Sequence, residues 1–172
     1  GADALRMALV VGNTPGNDPV IFEEKIKGYR NFATKIWNAS RFVLMNLKDY
    51  KASAKVQLSP KDKKIISEFN RTAKDITKDI ESFRFYSASE KIYHYFWHTF
   101  CDKIIEAQKP RLYGENKKEK AASQHILLTL LSGSLKLLHP FMPFITEHIY
   151  QQFPVKNKKN SIMIEKWPNG LL

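Results

Sequence analysis

Phe42 stands on the polar side of a long helical pattern, bracketed by the amides Asn31 and Asn38 and the cations Lys35 and Arg41. Setting residues 22–47 on a wheel at about 100° per residue gives the pattern two faces. Ile26, Tyr29, Ala33, Ile36, Ser40, Val43, Leu44 and Leu47 fall on one side; Asn31, Thr34, Lys35, Asn38, Phe42, Met45 and Asp49 fall on the other, with Arg41 nearby. That second set suits an unpaired nucleotide. An aromatic face stacks on a splayed base, amides read its hydrogen-bonding edge, and cations hold the phosphates. The same position also suits an aromatic that packs against a neighbouring helix, and the wheel leaves both readings open.

Other residues offer less. His94, His98 and Cys101 lie at i, i+4 and i+7, so one helix face carries three metal-ligand types. No fourth ligand follows at a familiar spacing and the face is crowded with aromatics, so they read as packed side chains and no metal is expected. No phosphate loop, dinucleotide turn or H-E-x-x-H pair occurs, and nothing locates a serine–histidine–acid triad. Cys101 is the one cysteine, which excludes an intramolecular disulfide and fits a reducing, cytoplasmic setting. The net charge of +11 favours a polyanionic partner, because each neutralised phosphate releases counterions. The basic excess sits toward the two ends of the chain, with the middle nearly balanced. Charge alone fits a lysine-rich soluble protein equally well.

The elements that must position these residues are helices. With 43% hydrophobic residues the chain can build a core, and its apolar runs are too short to span a bilayer. No charged segment followed by an apolar one marks a secretory signal, and the opening Gly-Ala-Asp reads as the start of a piece of a longer protein. Residues 2–11 predict a short helix, ended by the turn formers of 12–19. A long helix follows over 22–47, then a polar connection over 48–58. Ser59-Pro60 predicts the next helix start, with serine as N-cap and proline in the first turn. Ser87-Ala-Ser-Glu90 resembles a capping box, opening a helix that is apolar nearly all round and stops near Gln108, ahead of Pro110. Leucine-rich 117–139 and then 141–153 complete an antiparallel helical bundle, and the alternation in 161–167 predicts one short strand.

Four stretches resemble a known family. Gly1-Ala-Asp-Ala-Leu-Arg6 with Pro15-Gly-Asn-Asp18 is similar to the segment just after the KMSKS loop of class I aminoacyl-tRNA synthetases. Gly28-Tyr-Arg-Asn-Phe-Ala-Thr-Lys-Ile-Trp-Asn-Ala-Ser-Arg-Phe-Val-Leu44 resembles the first helix of the anticodon-binding bundle in valyl-tRNA synthetases. Phe96-Trp-His-Thr-Phe-Cys-Asp-Lys-Ile-Ile-Glu106 is similar to that family's Phe-x-Trp-x-x-Phe-Cys-Asp helix. It departs by one residue at the first aromatic, and Lys103 stands where an aromatic is frequent. Leu138-His-Pro-Phe-Met-Pro-Phe-Ile-Thr-Glu147 matches a turn and helix shared by valyl, leucyl and isoleucyl enzymes.

The resemblance implies an all-α bundle of the class I anticodon-binding type over 21–153. Residues 1–20 would be a frayed remnant of the stem-contact region, and 154–172 a tail. It implies a module that binds the tRNA anticodon stem and loop, from an enzyme that ligates valine to tRNA with ATP and magnesium. Neither the HIGH nor the KMSKS signature is in this chain, so it is expected to bind as a monomer, without cofactor and without catalysing aminoacylation. Carried over by position, Asn38 and Phe42 would read bases, Lys35 and Arg41 would lie near backbone or base edges, and Asn31 completes the candidate set. Two alternatives stand beside this: the same domain of an isoleucyl or leucyl enzyme, and a helical protein–protein docking bundle.

Overall fold

Ser59 starts its helix as its position predicts. The Asp62 amide donates to the Ser59 hydroxyl at 3.2 Å, and the Ser59 amide donates to the Asp62 carboxylate at 3.0 Å. The computed structural model describes all residues except 14, 15, 17, 19, 51–55, 156, 157 and 172, so parts of the turn-rich segment 12–19, the connection 48–58 and the basic run 156–159 lie outside the described residues. Its helices are α1 (Ala2–Val10), α2 (Glu23–Met45), α3 (Pro60–Glu81), α4 (Phe85–His94), a π-helical segment (Tyr95–Ile105), α5 (Glu106–Tyr113), α6 (Lys117–Leu138) and α7 (Pro143–Gln151). From α4 through the π segment to α5 the backbone is one continuous helix that changes register in the middle.

Helix α6 is the centre. Asn116 caps it by accepting from the amides of Lys118 and Glu119. Ile126, Leu127, Leu130, Leu131, Leu135, Leu137 and Leu138 are all buried, which leaves it almost no wet side. It touches α2, α3, α4, α5, α7 and the π segment. Helix α2 packs on it and buries Phe32, Ile36, Ala39, Ser40 and Val43, with Phe32 meeting the rings of Tyr93, Phe96 and Trp97. That stripe is rotated from the wheel reading. Phe32 is fully buried, whereas Ile26, Tyr29, Ala33 and Leu44 are only half-buried. The close approach of α3 and α6 is set at Gly133, where a Cβ would sit 2.7 Å from the Phe69 ring.

Helix α1 is docked, not frayed. It packs on α2, α4 and α7, and buries Met7 and Ala8. Its Asp3 carboxylate accepts from the amides of Phe144 at 3.2 Å and Ile145 at 2.7 Å. Those are orphan amides in the first turn of α7, whose own N-cap, Met142, offers no side-chain acceptor. Arg6 adds a hydrogen bond to the Pro140 carbonyl at 3.0 Å. Gly12, at φ 74°, then turns the chain out of α1.

Three expectations are corrected. Ser87 does not cap a helix: α4 begins at Phe85, and the Ser87 hydroxyl donates to Asp79 at 2.7 Å. Asp79 is the buried anchor of the α3–α4 corner and also receives Arg84 at 2.8 Å and Lys91. The helix does not stop before Pro110. It runs on to Tyr113 because residues on both sides are fastened: Gln108 and Leu112 are buried, and the Arg111 guanidinium reaches the Asp62 carboxylate at 2.7 and 3.1 Å. Residues 161–167 form no strand but a 3₁₀ turn over Ile162–Ile164. Side chains pin this stretch to three helices: Glu165 accepts from Tyr150 at 2.6 Å and Lys136 at 3.1 Å, and the Trp167 indole donates to Thr77 at 2.8 Å.

Gly133→Ala pushes a methyl group into a fully buried ring and is expected to destabilise the chain by about 1–3 kcal/mol in urea unfolding. Acid acts at the corner. Burial pushes the Asp79 carboxyl up, but hydrogen bonds from Lys91, Ser87 and Arg84 outweigh it and hold it at about 2. A free aspartate titrates at about 3.9. The stabilisation from Asp79 is therefore complete above about pH 5 and is lost as pH falls toward 2. Asp79→Asn is expected to lower stability at pH 7 and to flatten its decline between pH 5 and 2, read by denaturant titration at each pH.

Candidate nucleic-acid interface

Asn31, Lys35, Asn38, Phe42 and Met45 follow one another at helical spacing down the outer face of α2, over a length of about 20 Å. Asn31, Asn38 and Arg41 are exposed, and among the described residues no hydrogen bond occupies their side chains. Lys35 and Phe42 are half-buried, because side chains of the π segment and α5 lie against them, so this face of α2 meets those helices along a surface seam. Phe42 thus joins both readings left open by the wheel. It packs against the core along one side and keeps part of its ring at the seam.

Across the seam stand residues that the α-helical wheel did not single out. Lys35 places its ammonium 2.9 Å from Asp102 and 5.3 Å from the centre of the Trp97 ring. Lys109 places its ammonium 2.7 Å from Glu106 and 5.7 Å from the centre of the Phe42 ring. Each is a cation held between a carboxylate and an aromatic face. The two arrangements are crossed: one lysine comes from α2, the other from α5. Trp97 and Asp102 are five residues apart, a spacing that an α-helix points in different directions. The i→i+5 register of the π segment brings them nearer to one side. No sequence signal reveals that register.

Lys35 and Asp102 reinforce each other's charge. The hydrogen bond from Lys35 lowers the Asp102 carboxyl below its ordinary range, and the same bond raises the Lys35 ammonium. His98 approaches the other Asp102 oxygen at 3.5 Å and stacks on His94 with ring centres 5.6 Å apart. These histidines are exposed, contrary to the packed positions expected of them; Cys101 is buried, turned away toward the core. No set of three ligand-type side chains close enough to hold a metal occurs among the described residues. None of the described helices is long and apolar enough to cross a membrane.

Comparison with known proteins places this seam in context. Residues 62–171 match the model of the family described as the anticodon-binding domain of tRNA ligase. The chain belongs to that family. The anticodon-binding domain is similar to valine–tRNA ligases along nearly its whole length, so the relationship extends over α1 and α2 as well. It is 45% identical to the valine–tRNA ligase of Clostridium tetani over 98% of its residues, and 46% identical to that of Clostridium acetobutylicum over the same share. The enzyme of Thermotoga maritima is 45% identical over 98% of the chain. The domain spans about a fifth of the length of these ligases, 19% in each case. Among solved structures it resembles the LeuRS of Agrobacterium radiobacter K84 in a ternary complex with tRNA and LeuAMS. The TM-score is 0.66 at 22% identity, over 99% of this chain and 20% of the other. That likeness establishes a common fold.

Burial pushes the Cys101 thiol up to about 12, with Lys35 opposing and Asp102 adding to the shift. At pH 8 the folded domain is expected to react with a thiol reagent at least tenfold more slowly than the urea-unfolded chain, because the thiolate is the reactive form. Equal rates would show that Cys101 is open to solvent.

Proposed function

We propose that this domain holds the anticodon stem and loop of a valine-accepting tRNA and contributes the anticodon-reading part of a valine–tRNA ligase. The observation that carries this reading is the outer face of α2. Asn31, Asn38 and Arg41 project from it with no side-chain hydrogen bond among the described residues, ahead of an aromatic ring, Phe42, that is partly open. Amides and a guanidinium beside a ring are the chemistry that reads unstacked bases in a single-stranded loop. In this reading Asn38 and Phe42 meet bases, Arg41 and Lys35 meet phosphates or base edges, and Asn31 extends the contact along the helix. The net charge of +11 supplies the attraction that is independent of RNA sequence.

The reaction of such a ligase joins valine to tRNA using ATP and magnesium. In this reading the domain's share in that reaction is to bind and orient the tRNA. Valine is preferred over leucine as the amino acid because sequence identity to the valine ligases is twice that to the leucine enzyme of similar fold. In this reading the domain works as a monomer in the cytoplasm, a setting that a lone cysteine suits.

The test is a binding titration at physiological salt with a valine anticodon stem-loop and a copy carrying altered anticodon bases. Tighter binding of the valine stem-loop is expected. Phe42→Ala should weaken it by about 5- to 100-fold, the range for losing one base–aromatic stack. Asn38→Ala should narrow the preference while leaving the thermal midpoint unchanged, since its side chain is exposed. Equal binding of both RNAs by the unsubstituted domain would defeat base reading.

A further inference from the structure

We propose that Asp102 and Glu106 set the selectivity of this face by holding Lys35 and Lys109 over the aromatic rings until an RNA supplies both a phosphate and a base. This inference rests on the anticodon-binding reading and goes beyond it: neither carboxylate touches RNA in that scheme, and both act through the lysines.

The observation is the pair of crossed arrangements. Lys35 lies 5.3 Å from the Trp97 ring centre with Asp102 at 2.9 Å, and Lys109 lies 5.7 Å from the Phe42 ring centre with Glu106 at 2.7 Å. Asp102 and Glu106 are four residues apart on the same continuous helix, so they line one side of the seam. In this state the lysine charges are matched, and the ring faces on which a base would stack are covered by ammonium groups. A base that stacks on Phe42 has to move Lys109 aside, and Lys109 then leaves Glu106 as well.

Two kinds of RNA meet this arrangement differently. A strand that presents phosphates alone exchanges one anion for another at each lysine and brings its own charge close to two carboxylates, which repel it. A loop with a splayed base replaces both contacts: its phosphate takes the ammonium and its base takes the ring. The carboxylates therefore weaken phosphate-only binding more than loop binding. All four charged side chains are partly exposed, between 34% and 57%, so each pair contributes modestly. Exposed pairs are worth about 0.2–1 kcal/mol, which is about 1.5- to 5-fold in affinity for each.

The experiment compares the unsubstituted domain with Asp102→Asn/Glu106→Gln, using the valine anticodon stem-loop and a fully paired RNA duplex of the same length, which offers phosphates but no splayed base, at 50 and 150 mM salt. Glu81→Gln is the control for loss of one negative charge, being exposed on α3 and in no ion pair among the described residues. The double variant is expected to bind the duplex about 3- to 10-fold more tightly and the valine stem-loop by a smaller factor, so that the ratio of the two falls. Glu81→Gln should leave that ratio unchanged. An unchanged ratio in the double variant overturns the proposal, whether neither affinity moves or both move by one factor. If the double variant does not fold, Asp102→Asn and Glu106→Gln singly carry the same comparison. A ratio of one in the unsubstituted domain sinks the anticodon-loop reading and this proposal together. A ratio above one that survives the double substitution sinks this proposal alone.

Discussion

Helix α6 carries buried leucines around nearly its whole circumference, so the other helices have to enclose it before any of them can present a surface to a partner. That requirement decides the rest of the architecture. Helix α2 buries its Phe32–Ile36–Val43 side and is left with Asn31, Asn38 and Arg41 outward. The π segment gives Phe96, Phe100 and Ile104 to the core and is left with Trp97, His98 and Asp102 outward. The candidate interface is the seam between what these two helices have left over.

Much of this was legible in the residues. Turn formers and caps are local chemistry, so Ser59-Pro60 and the stop after α1 declare themselves without reference to the fold. The outer face of α2 was legible for a related reason: three polar residues and a cation at α-helical spacing leave one side of the wheel unable to be buried. Phe42 was placed on that face correctly, but its partial burial depends on α5 lying beside it, which no local pattern encodes. Phe32 was missed because the rotation of a stripe is set by the partner helix, and the wheel knows only the spacing.

The features that stayed hidden share one cause. The helix running through Pro110 is held by Asp62 on Arg111, 49 residues away, and Ser87 is taken up by Asp79 across the corner between α3 and α4. The short strand expected over 161–167 failed in the same way, since alternation is a signal only where a neighbouring strand exists to pair with. Trp97, Asp102, Glu106 and Lys109 were therefore absent from the first candidate set although three of them lie in a motif that marked the family. The assignment of the individual α2 residues to RNA contacts is untouched by the fold itself, which places them and leaves their use to be measured.

The bond from Asp3 to the amides of Phe144 and Ile145 joins positions about 140 residues apart. A chain made from its N-terminus has α1 long before it has the amides that α1 must hold. In the interval Asp3 has no partner there, and the first turn of α7 does not yet exist to need one. Within this domain α1 can pack on α2 as soon as both are made, but its tie to α7 closes only when the far side of the bundle has been made, so that one contact couples early and late parts of the domain.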